Sequence, residues 1–142
     1  MLRTIAGVVA GFVVVGVVVF GLQQVSAALH PLPAGLDPMD PGQRDAFQAH
    51  LAAMPLAAWA VAFASEILGA FLGGLAAGSI AREHPRGAAG VIVGLAVAGS
   101  ILNWTSFPHP LWFIVGQLVL YPLAFLVVTR LLAGAGPSGE PA

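Results

Sequence analysis

The sequence predicts an all-α fold: a bundle of four transmembrane helices with a short interfacial helix in its first outer loop. Three observations carry this. Of 142 residues, 58% are hydrophobic and 8% charged, whereas a soluble domain has about 25% charged residues, so lipid must serve as solvent for most of the chain. Four apolar stretches approach the roughly 20 residues needed to cross a hydrocarbon core of about 30 Å. The arginines also sort cleanly between the two sides of a four-pass topology. Strand-type alternation is absent, and helix is the open-chain way to satisfy backbone polar groups in lipid.

The first span covers about 2–22, and Ile5 to Leu22 has no polar side chain. Its 18-residue apolar run exceeds the roughly 7–15 of a signal peptide, so it reads as a retained helix despite Arg3 and the small residues Val25-Ser26-Ala27. The loop that follows is rich in turn residues: Pro31, Pro33, Gly35, Pro38 and Pro41. Asp40 then reads as an N-cap, with Pro41 at the first helical position and Gln43 completing a capping box. The interfacial helix covers about 41–53. Its stripe of Phe47, Leu51 and Met54 suits either the membrane surface or the ends of the bundle. The second span covers about 55–81, interrupted by Ser65, Glu66 and Ser79. The third covers about 87–103 and the fourth about 111–132, the latter with Gln117, Tyr121 and Pro122 inside it, where the proline should kink the helix. Together they make a single transmembrane domain, 1–132. The remainder, 133–142, with Gly134, Gly136, Pro137 and Gly139, is expected to be a disordered cytoplasmic tail.

Arg3, Arg82, Arg86 and Arg130 fall on one side of this topology. Arg44 falls on the other, among Asp37, Asp40 and Asp45. Four against one places both termini in the cytoplasm by the positive-inside rule. A formal charge of -1 without basic clusters argues against nucleic acid. With no cysteine there is no disulfide framework and no thiolate site. No nucleophile–base pairing, phosphate loop or carboxylate pair is visible, so no enzyme and no cofactor are expected.

Small residues recur four apart at Gly7 and Gly11, Gly69 and Gly73, Gly74 and Gly78, and Gly90 and Gly94. Helices in lipid associate by close backbone packing, so these positions predict tight seams within the bundle or a homo-oligomer. Trp59, Trp104 and Trp112 lie near outer helix ends and read as belt residues.

Glu66 is the one ionisable residue deep in a span, about 16 Å along its helix. A charge there costs roughly 2.5–3.5 kcal/mol on insertion scales, which the apolar residues of its helix, at about 0.3–0.6 kcal/mol each, roughly offset. It must therefore be protonated, partnered or facing a wet cavity. Its helical face holds Ala62, Gly69, Ala70 and Gly73, which points it into the bundle, where Gln117 and Tyr121 lie at similar depth. These three are the candidate proton or cation site, set against a purely structural acid that joins two helices. On the outer side, His30, His50 and His109 with nearby aspartates are weak candidates for a metal such as zinc, since no pair has the spacing of a preformed site.

The loop Pro33-Ala34-Gly35-Leu36-Asp37-Pro38, Met54-Pro55, the glycines Gly69, Gly73 and Gly74, Asn103, and Pro108-His109-Pro110-Leu111-Trp112-Phe113 carry a resemblance. The chain resembles an uncharacterised family of small bacterial four-transmembrane-helix inner-membrane proteins, which implies the fold and a bacterial inner-membrane location but no activity. Four helices with a buried glutamate are also similar to the small multidrug resistance transporters. In those the glutamate belongs to the first helix and the first outer loop is shorter, so the likeness is one of architecture. The leading expectation is a non-enzymatic membrane component that is structural or binds a membrane partner. The alternative is a small proton- or cation-coupled transporter using Glu66, and the third an outer-face metal binder.

Overall fold

Leu2 to Leu29 forms one continuous helix, α1, in the computed structural model, which describes residues 1–134. A turn of 3-10 helix at Pro41–Gln43 leads into α2, Arg44–Ala52. Three long helices follow: α3, Leu56–Ile80; α4, Pro85–Ser106; and α5, Leu111–Gly134. The four long helices, α1, α3, α4 and α5, are long and apolar enough to cross a membrane.

Prolines set most of the boundaries. His30 leaves the helix at φ -143° because Pro31 follows, and the residue before a proline is driven out of the α region. Phe107 does the same before Pro108, with φ -136° and ψ 149°. Pro85 opens α4 at the first helical position, where its missing N–H costs nothing. Pro122, by contrast, does not end α5, which runs through it.

α4 runs two residues earlier and three later than the expected 87–103, and three other boundaries also differ from the sequence expectation. α1 does not stop at residue 22, because its polar last turns are packing residues. Ser26 is buried and donates to the Ala58 carbonyl of α3 at 3.0 Å, and Gln23 reaches Ser65 at 3.5 Å. The loop helix starts as 3-10. Asp40 caps it by accepting from the Gly42 N–H at 2.8 Å, but Gln43 bonds the Asp40 carboxylate and the Asp37 N–H rather than closing a capping box. Finally, Ala133 and Gly134 continue α5 instead of opening the tail, and the rest of that tail, 135–142, lies outside the described residues.

α3 is the central element and packs against α1, α4 and α5. Apart from Trp59, its buried residues are small: alanine, glycine and Ser65. α1 runs antiparallel to it, with Gly7 beside Ala77 and Ala81, and Gly11 against Gly73. A Cβ on Gly11 would lie 2.6 Å from the Gly73 carbonyl oxygen, so only glycine permits this approach. Gly69 receives Val19, Gly78 receives Leu132 of α5, and Gly90 meets the Phe125 ring. Gly74 sits in ordinary contact with Val93 and Val128. Gly94 is the exception among the predicted packing glycines: it faces open space, because α4 turns that side away from its neighbours.

The antiparallel order gathers residue 1, the α3–α4 turn and the end of α5 at one end of the bundle. The Met1 ammonium pairs there with Glu83 at 3.1 Å, and its hydrogen bond and charge hold the Glu83 carboxyl below the usual range. Arg3 and Arg82 share a surface cleft at this end. At the opposite end, α2 closes over the helix tips, with Phe47 edge-on to Phe107 at 5.4 Å.

Candidate functional site

The predicted partners of Glu66 do meet it. Gln117 Nε2 donates to Glu66 Oε2 at 2.7 Å, and Tyr121 OH approaches the same oxygen at 3.3 Å. Both residues lie on the buried face of α5, one helical turn apart. All four residues of the small face around Glu66 are buried, as expected.

Two further residues complete the network. Ser100 Oγ of α4 donates to Glu66 Oε2 at 2.8 Å and lies 2.7 Å from Tyr121 OH. Trp104, one turn on, donates its indole N–H to Gln117 Oε1 at 2.9 Å. An indole nitrogen can only donate, so the Gln117 oxygen must face it and the amide NH2 must face Glu66. The Ser100 hydroxyl has a single proton, which goes to the carboxylate. The Tyr121 proton therefore goes to Ser100, the shorter of its two contacts. Oε2 thus accepts two short bonds, matching its two lone pairs. Among the described residues Oε1 accepts none.

Glu66 is half-buried and lines two cavities. The first, of about 530 Å³, lies beneath α2, where Trp59 and Phe113 form part of its wall and His30, His50 and His109 lie around it. Phe47, Leu51 and Met54 all line it, so the apolar stripe of α2 packs on the bundle. The second, of about 510 Å³, lies between α1 and α4.

The tryptophans divide. Trp112 is 42% exposed, in keeping with a belt position. Trp59 is buried against Phe113 and His109, with ring centroids at 5.4 Å and 5.3 Å, and Trp104 serves the Glu66 network. Trp59 is therefore not a belt residue, its helix turning it inward, which distance from a helix end does not reveal; Trp104 is half-buried, with its indole N–H directed into the bundle.

The histidines line one cavity without forming a metal centre. His30 stacks on His50 at 4.0 Å and bonds its carbonyl at 3.0 Å, and His109 is held by the Phe107 carbonyl at 2.9 Å. No group of three or more metal-ligating side chains forms among the described residues. Partial burial, and then repulsion from His30, holds the His50 imidazole below its usual range.

No protein-family model, curated protein or solved structure matches this chain. Its function has to be read from the site itself. Sequence reasoning found Glu66, Gln117 and Tyr121 and missed Ser100, Trp104 and Gln23. One signal was available: Ser100 and Trp104 repeat on α4 the four-residue spacing of Gln117 and Tyr121 on α5, so each helix carries a polar-capable stripe at comparable depth.

Proposed function

We propose that this protein is a non-enzymatic, multi-pass protein of the bacterial inner membrane that works as a small proton- or cation-coupled transporter, with Glu66 as its coupling acid. One observation carries the reading: one carboxylate oxygen is held by Ser100 and Gln117, while the other has no partner among the described residues and the residue borders a cavity at the α2 end of the bundle. A purely structural acid in lipid uses both oxygens, because an unpaired polar group there is costly. An acid that binds and releases a charge needs one oxygen fixed and the other accessible. The orientation belongs to the same proposal. The distribution of arginines supports cytoplasmic termini, so the cavity at the α2 end lies on the outer side. The resemblance to small bacterial membrane proteins supports the inner membrane.

The structural role placed first by the sequence also has its observation, since the same bonds tie α3 to α4 and α5. Liposome measurements separate the two. Glu66→Gln is close to isosteric, and its amide oxygen can take the place of Oε2. The transporter reading expects pH-driven flux across liposomes that disappears in Glu66→Gln while the fold persists. An infrared titration should show the Glu66 carboxyl band responding to bulk pH. Absence of flux across a broad cation panel, with a carboxyl band that never responds, would leave Glu66 as a structural tie.

A further inference from the structure

The bundle end that carries residue 1 holds a cleft of about 310 Å³, lined by Arg3 of α1, Ser79 and Ile80 of α3, and Arg82 of the α3–α4 turn. The backbone sets both of its guanidinium groups. Arg3 lies one helical turn before Gly7, where α1 meets α3 so closely that a Cβ would sit 2.6 Å from the Ala77 carbonyl oxygen and 3.2 Å from Ala81 Cβ. Arg82 directly follows Ala81, which is fully buried and leaves α3 at φ -81° and ψ 63°. Those angles make an inverse γ-turn, closed by the Arg82 N–H on the Ile80 carbonyl at 2.9 Å. Both arginine stems therefore spring from one rigid junction.

No acid lines the cleft. Glu83, next along the chain, pairs with the Met1 ammonium, and neither Arg3 nor Arg82 makes a salt bridge among the described residues. Ser79 spends its hydroxyl proton on the Leu75 carbonyl at 2.7 Å, so the guanidinium groups are the donors here. Depth is the second constraint. Arg3 is the second residue of α1, and Ser79 and Ile80 are the last two of α3, both helices long enough to span a membrane. The cleft therefore sits where hydrocarbon gives way to headgroups. Ile80 is exposed in its wall, and Leu2 and Ile5 are exposed on the same turn of α1 as Arg3.

We propose that this cleft binds the headgroup phosphate of an anionic phospholipid, held by Arg3 and Arg82, with its acyl chains along the exposed apolar face of α1. A planar guanidinium bonds two phosphate oxygens at once. A zwitterionic lipid fits less well, because its ammonium would meet two like charges with no acid in the lining to receive it. A free phosphate ion lacks the apolar part that Ile5 and Ile80 would cover. Such a lipid site stands whether or not Glu66 couples transport. Arg86 and Arg130 share this end of the bundle but do not line the cleft, so they separate a built site from diffuse attraction to a charged surface.

The test is native mass spectrometry of the full chain in detergent, titrated with dioleoylphosphatidylglycerol, dioleoylphosphatidylcholine, inorganic phosphate and glycerol 3-phosphate. One phosphatidylglycerol per chain should be retained, about tenfold more tightly than phosphatidylcholine. Arg3→Gln and Arg82→Gln should each weaken it about fivefold, and the double variant about twenty- to thirty-fold. Arg86→Gln and Arg130→Gln should leave it within about twofold. All four arginines are exposed, so these variants keep the fold. Equal losses across the four would leave only diffuse attraction and overturn the site. Equal retention of the two lipids would overturn the anionic headgroup. Displacement of phosphatidylglycerol by millimolar inorganic phosphate or glycerol 3-phosphate would make the ligand a soluble phosphate and overturn the lipid.

Discussion

Replacing Gly11 by alanine should destabilise the bundle although alanine is the better helix former. A Cβ there would sit 2.6 Å from the Gly73 carbonyl oxygen, 2.8 Å from Ala77 Cβ and 3.0 Å from Ile92 Cγ1. Comfortable carbon contacts lie at about 3.5–4.0 Å, so α1 must withdraw from α3 by roughly 1 Å. A gap of about 0.5–1 Å forfeits a quarter to a half of each van der Waals well, itself about 0.1–0.2 kcal/mol. Over some tens of atom pairs along the seam the loss is about 1–4 kcal/mol. Alanine's helix preference returns at most about 1 kcal/mol. Sterics match or outweigh propensity, and the net change is about 0–3 kcal/mol destabilising. Gly16 supplies the contrast: it meets nothing within 4 Å, so Gly16→Ala feels only the propensity term and should match or exceed the wild type. Unfolding in mixed micelles titrated with denaturing detergent, followed by tryptophan fluorescence, measures both. If Gly11→Ala proves as stable as Gly16→Ala, the α1–α3 seam described above is wrong.

Gln117→Leu removes the acceptor of Trp104 and a donor to Glu66. Interhelical hydrogen bonds in membranes average about 0.6 kcal/mol, so the same unfolding assay should show a loss of about 1–2 kcal/mol, and the Trp104 emission should shift. Ser26→Ala deletes one buried bond between α1 and α3 and should cost about 0.5–1.5 kcal/mol, without effect on the Glu66 carboxyl band. Because the folded state holds the His50 imidazole below its unfolded value of 6.5, its contribution to stability is complete above that pH and is lost as pH falls through the lowered value. The α2 cap should therefore exchange amide hydrogens faster in mild acid, and His50→Gln should remove that dependence.

Legibility from sequence followed the nature of each force. Glu66 stood out because a charge in an apolar run is costly wherever the helix sits, and its inward aim followed from the small residues sharing its face. Gln117 and Tyr121 followed from depth along a helix, a one-dimensional quantity. Ser100 did not stand out, because a serine in a membrane helix can bond its own backbone, as Ser79 does to the Leu75 carbonyl at 2.7 Å. Trp59 misled because a helix end predicts depth but not rotation. Gln23 and Ser26 looked like a loop because polarity marks a span's end only when no neighbouring helix receives it.

Composition and hydrophobic run length by themselves determined that this is an all-α chain with four helices able to cross a membrane, because in lipid each backbone group must be satisfied within its own segment. Proline placement fixed most of the helix ends for the same local reason. The tertiary structure alone decided which face of each helix turns inward, that α4 supplies Ser100 and Trp104 to the glutamate, and that two cavities meet there. Those outcomes depend on how four apolar cylinders rotate about their axes and close on one another. That rotation is set by glycine and alanine contacts between residues far apart in sequence, where single ångströms separate a packed seam from an open groove.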